Sequence, residues 1–177
     1  VAFVISKDAV VMDFAGPWAV FQAVWVKDKP FFNLYTVAQS REPVSVGGGM
    51  RIVPDYTFKT APAPKMIVIP AQGGETPEMI EWIRSASKTT DVTMSVCTGA
   101  LILAKTGLLN GKSAATHHGG YFALAADYPE VRVKRGARWV DEGHIMSAGG
   151  VASGIDLALH VVEKYCGRQQ AESVVDD

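Results

Sequence analysis

The stretch DVTMSVCTGALILAKTG, residues 91–107, decides the fold. Its first half, Val92-Thr93-Met94-Ser95-Val96, is apolar, β-branched and of strand length, and it stops at Cys97. Thr98-Gly99-Ala100 then opens a second apolar run, Leu101-Ile102-Leu103-Ala104. That run is rich in Ala and Leu, carries Lys105 in its last turn and has Gly107 placed to cap its C-terminus. A buried strand turning directly into a helix puts Cys97 at a nucleophile elbow, lifted at the C-terminal edge of a sheet. Gly99 allows the helix to pack close to the strand. A helix N-terminus beneath the thiol is expected to lower its pKa from about 8.5 by about one unit or more. The match to G-x-S-x-G is partial, because Ser95 stands at the first glycine. Cys97 can also be read as a small buried apolar residue, as free cysteines often are. Its position at the turn favours the reactive reading.

Working outward, the chain has 177 residues, 48% hydrophobic and 20% charged, which predicts one domain over residues 1–177 with a sizeable core. A net charge of −1 gives no broad attraction to nucleic acid or to an acidic membrane. Two cysteines, Cys97 and Cys166, make no disulfide framework, so a reducing, cytoplasmic setting is expected. No apolar run approaches the ~20 residues of a membrane span. The chain opens at Val1 inside an apolar run and ends inside a helical pattern, so both ends are read as trimmed. A signal peptide, or a further C-terminal domain, would then lie outside it. There is no internal repeat and no low-complexity segment.

Towards the N-terminus, Val1-Ala2-Phe3-Val4-Ile5 is continuously apolar, as strands of parallel sheets are when both faces are buried. Asp13 is expected in the loop after this strand, and Gly16-Pro17 is expected to start a helix running through Trp18 to Val24. Residues 32–38 and 66–70 read as further strands. Val44-Ser45-Val46 and residues 51–54 flank Gly47-Gly48-Gly49 as a small hairpin. Gly73 and Gly74, in the loop after residues 66–70, either offer backbone N–H groups to a ligand as oxyanion donors or mark an ordinary strand-to-helix turn. Towards the C-terminus, a short strand over residues 113–116 ends at His117-His118, and a helix follows to Tyr128. Strands over residues 131–133, 138–140 and 144–148 lead through Gly149-Gly150 to a long helix, Ala152 to Tyr165, capped by Gly167. This alternation predicts an α/β sandwich with a mainly parallel sheet. In such a sheet the loops after Ile5, Pro70, Val96 and Ser147 converge on one edge. Asp13, Gly73-Gly74, Cys97-Thr98 and Gly149-Gly150 would then share a crevice.

Residues 95–100, with Gly107-Leu108-Leu109, Gly111-Lys112 and Ala115-Thr116-His117, resemble the ThiJ/PfpI superfamily of the class I glutamine-amidotransferase-like fold. Asp13-Phe14-Ala15-Gly16-Pro17 resembles that family's first loop, and residues 149–159 resemble the entrance to its last helix. The resemblance covers almost the whole chain in order. It implies a three-layer α/β/α sandwich of flavodoxin-like type. Within the superfamily the chain is most similar to isonitrile hydratases and to the sensor domains fused to AraC-type regulators. Asp13 fits that branch where many relatives carry Glu, and Thr98 fits it where protease-like relatives carry His. Thr98 therefore removes the adjacent Cys-His pair that a peptidase mechanism would use. One departure stands out: the loop usually written Pro-Gly-Gly is Pro70-Ala71-Gln72-Gly73-Gly74 here, which leaves open which amides face a substrate.

The resemblance implies a cofactor-free lyase with Cys97, Asp13 and Thr98 as its catalytic set. Isonitrile hydration adds water across R–N≡C to give an N-substituted formamide. Cys97 would attack the terminal carbon, Asp13 would accept and donate the proton, and Thr98 would orient the thiolate or the water. For that, Asp13 should be protonated or share a proton with the thiol, since an ionised carboxylate raises a neighbouring Cys pKa. Without the resemblance, Asp13 before Gly-Pro reads as an Asx turn or a cap. Gly73, Gly74, His117 and Gly150 are candidate substrate-binding residues. His117 is either a weak base lining the pocket or a strand-end histidine with a structural hydrogen bond. Being adjacent, His117 and His118 are expected to point to different sides, a poor metal pair, and no Cys or carboxylate spacing supports zinc. His144 and His160 read as ordinary residues and Cys166 as structural. Trp18 and Trp25, seven apart, are expected on one helix face. A homodimer interface is expected there, since ThiJ/PfpI proteins are commonly dimers. Two rival functions share this fold. One is a ligand-sensing domain of an AraC-type regulator, which would meet nucleic acid only through a removed C-terminal domain. The other is a stress or redox protein cycling Cys97 through a sulfinic acid, which requires a low-pKa, exposed thiol.

Overall fold

A seven-stranded sheet forms the middle layer of the structure, a computed structural model that describes residues 1–176. Its strands are β1 (Ala2–Val4), β2 (Tyr35–Ala38), β3 (Tyr56–Thr57), β4 (Met66–Ile69), β5 (Val92–Val96), β6 (Trp139–Glu142) and β7 (Ile145–Ala148). Their spatial order is β6-β7-β5-β4-β1-β2-β3. Every neighbouring pair is parallel except the edge pair β6–β7. The continuous apolar runs now have their reason. Phe3 and Ile5 face one core with Met94, Val96 and Met146, while Ala2 and Val4 face a second with Ile67, Ile69 and Ile145. Successive side chains leave opposite faces of a strand, and both faces are covered.

Helices α1 (Val11–Gln22), α5 (Ala152–Cys166) and α6 (Arg168–Asp176) close the first core through Phe14, Phe21, Leu157, Val161 and Ala171. Helices α2 (Pro77–Ala86), α3 (Gly99–Lys105) and α4 (Tyr121–Asp127) close the second through Met79, Ile83, Leu103 and Leu124. This is the expected three-layer sandwich. The Gly-rich hairpin also forms, with Val44 paired to Ile52 and Ser45 to Arg51. No helix among the described residues is long and apolar enough to cross a membrane.

Two local expectations fail around α1. The helix begins at Val11, not at Gly16-Pro17, so Pro17 lies inside it and Asp13 sits in its first turn, not in a loop. Tertiary bonds set this start: the Val10 N–H donates to the Ala71 carbonyl at 2.8 Å, and the Asp13 N–H closes the turn on the Val10 carbonyl at 3.0 Å. An acidic residue suits that first turn electrostatically. At the other end the helix stops at Gln22, so Trp18 and Trp25 do not share a face. Trp18 packs on Phe3 with ring centroids 4.8 Å apart, whereas Trp25 is 53% exposed on a hairpin formed by Trp25–Val26 and Lys29–Pro30.

Candidate functional site

Cys97 has φ +58°, a left-handed conformation that a non-glycine residue adopts only under constraint. The constraint is visible on both sides of it. The Cys97 N–H donates to the Ala148 carbonyl at 3.1 Å, tying the elbow to β7. The Thr116 hydroxyl donates to the Cys97 carbonyl at 2.9 Å, in a fully buried contact. Gly99 then lets α3 fold back against the end of β4. A Cβ there would lie 2.8 Å from the Pro70 carbonyl oxygen and closer still to that of Ile69. The elbow expected from residues 91–107 is therefore present, with Cys97 at the C-terminal edge of the sheet.

The parallel order places β1, β4, β5 and β7 side by side, so the segments that follow them meet at that edge. Asp13 arrives on α1 and is completely buried. Its Oδ2 accepts the Ala71 N–H at 3.1 Å, and the Val151 N–H lies near enough to favour the ionised carboxyl. Its Oδ1 has no hydrogen-bond partner among the described protein N and O atoms, and the Cys97 thiol is within interaction range of the carboxyl. Burial pushes the Asp13 pKa up to about 6, against the pull of the two N–H groups and the thiol.

The thiol does not behave as the elbow alone predicts. Burial, and then the charge of Asp13, push the Cys97 pKa up to about 11, although the backbone N–H and side chain of Thr98 pull it down. Cys97 is only 8% exposed. Helix α3 is short, and its N-terminal field does not outweigh a dry site with a carboxylate in it. Around neutral pH the pair therefore holds a single proton, on sulfur, beside a largely ionised carboxylate. The two groups titrate as one unit.

Thr98 precedes α3 and makes no side-chain cap, and its side chain favours the ionised form of the neighbouring Cys97 thiol. His117 is half-buried, and its Nδ1 accepts the Gly119 N–H at 3.2 Å. The His117 ring lies against Gly150, where a Cβ would approach Cδ2 to 3.1 Å. The expectation that the paired histidines diverge does not hold: their ring centroids are 3.9 Å apart, because the chain turns into a 3-10 segment at His118–Gly120. Gly73 and Gly74 lie on the far side of their loop. The Gly73 N–H donates to the Lys7 carbonyl at 2.8 Å, and the Ser6 hydroxyl donates to the Gly73 carbonyl at 2.6 Å. Gly74 is exposed, with φ +66°, and packs on Lys7. The amide of this loop that faces the site is Ala71. Among the described residues no three His, Cys, Asp or Glu side chains cluster as metal ligands.

Sequence reasoning missed Thr116, Val151 and the Ala71 amide. Thr116 stood in the sequence as a strand end and as part of the Ala115-Thr116-His117 stretch, with no role attached to it, and a backbone donor carries no residue signature. Val151 has φ +31° and ψ −95°, an outlier for a β-branched residue, at a position where its N–H favours the ionised form of Asp13. The 70–74 loop also puts Gln72 beside Thr98. Both line a cleft of about 210 Å³ along α3, with Leu101, Ile102, Lys105, Glu75, Asp127 and Tyr128.

Comparison with known proteins agrees with this geometry. The chain is 30% identical over 179 residues to the isonitrile hydratase of Pseudomonas putida, an alignment covering 98% of this chain and 75% of that enzyme. It is 31% identical over 148 residues to the HTH-type transcriptional regulator CdhR of Pseudomonas aeruginosa, covering 81% of this chain but only 44% of the regulator. The chain thus spans less than half the length of that regulator. A crystal structure of a ThiJ/PfpI family protein from Pseudomonas syringae superposes with a TM-score of 0.86 at 28% identity, over 98% of this chain and 72% of that one. An AraC family transcriptional regulator from Pseudomonas putida shares the fold with a TM-score of 0.88 at 16% identity, over 99% and 96% of the two chains. The pattern of the DJ-1/PfpI family matches residues 1–164. With the elbow at Cys97 and the parallel sheet that presents it, the chain belongs to the DJ-1/PfpI family.

Proposed function

We propose that this protein is a cysteine-dependent hydro-lyase that adds water to an isonitrile to give an N-substituted formamide. The observation that carries the proposal is the buried Asp13–Cys97 pair, in which burial of both groups and the charge of Asp13 on the thiol leave one proton between a carboxyl of pKa about 6 and a thiol of pKa about 11. Isonitrile addition needs a nucleophile and a proton delivered to the same carbon. As sulfur bonds to the terminal carbon, its proton passes to the Asp13 carboxylate and from there to that carbon, giving R–N=CH–S–Cys97. Water then adds to the carbon, a proton moves to nitrogen, and the C–S bond breaks with its electron pair returning to sulfur. The products are R–NH–CHO and the thiol. Thr98, whose side chain lowers the thiol pKa, would hold the sulfur for attack. The similarity to an isonitrile hydratase over nearly the full chain supports the same reading.

The test is formamide formation from an aryl isonitrile, followed by absorbance, with Cys97→Ala and Asp13→Asn alongside. Turnover lost in both variants is expected; full activity in Asp13→Asn refutes the proton-transfer role. The similarity to CdhR favours a second reading, a ligand-sensing domain of an AraC-type regulator. Wild-type protein without turnover, whose Cys97 still alkylates, would favour it. We place the protein in a reducing cytoplasm, which suits two free cysteines, and as a homodimer. Exposed Trp25, Val26 and Phe31 give the dimer an apolar patch, and a monomer in sedimentation refutes it.

A further inference from the structure

One side chain holds the elbow and has no part in the chemistry above. Thr116 is 1% exposed, and its hydroxyl donates to the Cys97 carbonyl at 2.9 Å. The first turn of α3 offers that carbonyl the Ala100 N–H at 3.5 Å, at the far limit of a hydrogen bond. The Thr116 hydroxyl is the short, well-placed donor. This bond fixes more than one oxygen. A peptide unit is planar and trans, so the Cys97 carbonyl and the Thr98 N–H point in opposite directions from one rigid plate. Holding the carbonyl towards Thr116 turns the Thr98 N–H the other way, to the side of the elbow where it acts on the Cys97 thiol. Cys97 itself is placed from its other side, by its own N–H on the Ala148 carbonyl. If the plate turned, the sulfur would keep its place and the Thr98 N–H would not.

Gly120 shows how closely this arrangement is built. A Cβ on Gly120 would lie 3.0 Å from Thr116 Oγ1 and 3.3 Å from Thr98 Cγ2, so the two threonine side chains meet over one glycine. Its φ of −97° suits any residue, so the missing side chain provides room rather than conformational freedom. The Gly120 N–H donates to the His117 carbonyl at 2.8 Å and keeps the glycine against both side chains. We infer that Thr116 is a positioning residue of the reaction: its hydroxyl locks the Cys97–Thr98 peptide so that the Thr98 N–H stays aimed at the sulfur. Its effect on turnover rests on the hydratase reading, whereas its effect on the thiol rests on the elbow alone. The lock matters most when the C–S bond breaks and its electron pair returns to sulfur. A fixed N–H donor stabilises the charge that develops there, and a donor free to swing would first have to be reoriented.

The test compares Thr116→Val, which nearly keeps the shape and removes the hydroxyl, with Thr116→Ser, which keeps the hydroxyl. Alkylation by iodoacetamide at about pH 9 reads the thiolate without any substrate, and peptide masses separate Cys97 from Cys166. Thr116→Val should slow alkylation of Cys97 about threefold or more, since the thiol loses a donor that favours its ionised form, and Thr116→Ser should recover most of the rate. A merely structural role gives the opposite sign, because a loosened elbow exposes the buried sulfur and speeds the reaction. An equal or faster rate in Thr116→Val, or an equal loss in Thr116→Ser, overturns the lock. Should Thr116→Val not fold, Gly120→Ala takes its place: its methyl crowds the Thr116 hydroxyl, so slower alkylation is expected and an unchanged rate overturns the lock. With an aryl isonitrile, Thr116→Val should lower kcat about tenfold and leave KM within about twofold, because the lock acts on the reacting atoms and not on the substituent. Turnover with kcat untouched in Thr116→Val removes the lock and leaves the hydratase. Alkylation that depends on the Thr116 hydroxyl, in protein without turnover, keeps the lock and removes the hydratase.

Discussion

Replacing Asp13 with Asn should stabilise the protein at neutral pH and not at acid pH. Asp13 is fully buried, and its pKa rises from 3.8 to about 6 on folding. A pKa raised by folding means that the native state holds the proton more tightly than the unfolded chain. The stability this contributes is complete below 3.8 and is lost as pH rises through about 6. At about 1.4 kcal/mol per pH unit, the loss is about 3 kcal/mol once both states are ionised. Asn is neutral at every pH and its amide oxygen can keep the Ala71 N–H, so it escapes that loss. Between about pH 4 and about pH 7.5 the advantage of Asp13→Asn over the parent should grow by about 2–3 kcal/mol. For a domain of this size, about 2–4 °C per kcal/mol, it reads as a melting temperature roughly 4–12 °C further above the parent at the higher pH. Calorimetry or fluorescence melts of both proteins across that range measure it. A melting-temperature difference that does not change with pH would refute the picture of a buried, charge-strained carboxylate.

Three further outcomes follow from the same geometry. Alkylation of Cys97 by iodoacetamide should be slow at neutral pH and climb towards pH 11, and Asp13→Asn should speed it at neutral pH by removing the nearby charge; a parent thiol that reacts like a free exposed cysteine contradicts the site. The pH profile of kcat/KM for an isonitrile should rise through about pH 6, as Asp13 ionises to take the thiol proton, and then stay level through neutrality; a fall across the same range assigns the opposite protonation state. Gly99→Ala should destabilise by about 2 kcal/mol or more in urea unfolding, since its methyl meets the carbonyls of Ile69 and Pro70; an unchanged midpoint means that α3 is not held against β4 as described.

How much of this was legible depended on whether a feature is local. The strands over residues 2–4, 66–69 and 92–96 announced themselves by continuous apolar runs, because both faces of the sheet are covered. The elbow was legible too, since a β-branched run meeting Thr98-Gly99-Ala100 allows little else. The start of α1 was not, because it is set by the bond from Val10 to Ala71, 61 residues downstream in a different loop. The Gly16-Pro17 signal for a helix start is real as a preference and is overridden by that contact. The thiol pKa went the wrong way for a related reason. A helix N-terminus can be read from sequence, but the burial of Cys97 and its closeness to Asp13 are tertiary facts, and they dominate. Gln72 showed only as a departure from a glycine pattern. Its unpartnered Nε2 appears once Ser6 is seen to hold the other end of the amide.

These pKa directions also separate the rival chemistries. A redox role for Cys97 needs a thiolate in contact with solvent, since oxidation follows thiolate character and access. The reduced site here offers a buried thiol with a raised pKa. Peptide hydrolysis needs a base that keeps the thiol's proton for the leaving amine, and the position beside Cys97 carries Thr98, which does not titrate in that range. Isonitrile addition has neither requirement. Its electrophilic carbon ends up bonded to both sulfur and hydrogen, so the proton leaving Cys97 need only travel through Asp13 to the atom that sulfur has just reached. A carboxylate of pKa about 6 accepts that proton and releases it again at neutral pH. The high thiol pKa, a drawback for a freely ionised nucleophile, keeps the proton at the site until a substrate arrives to receive it.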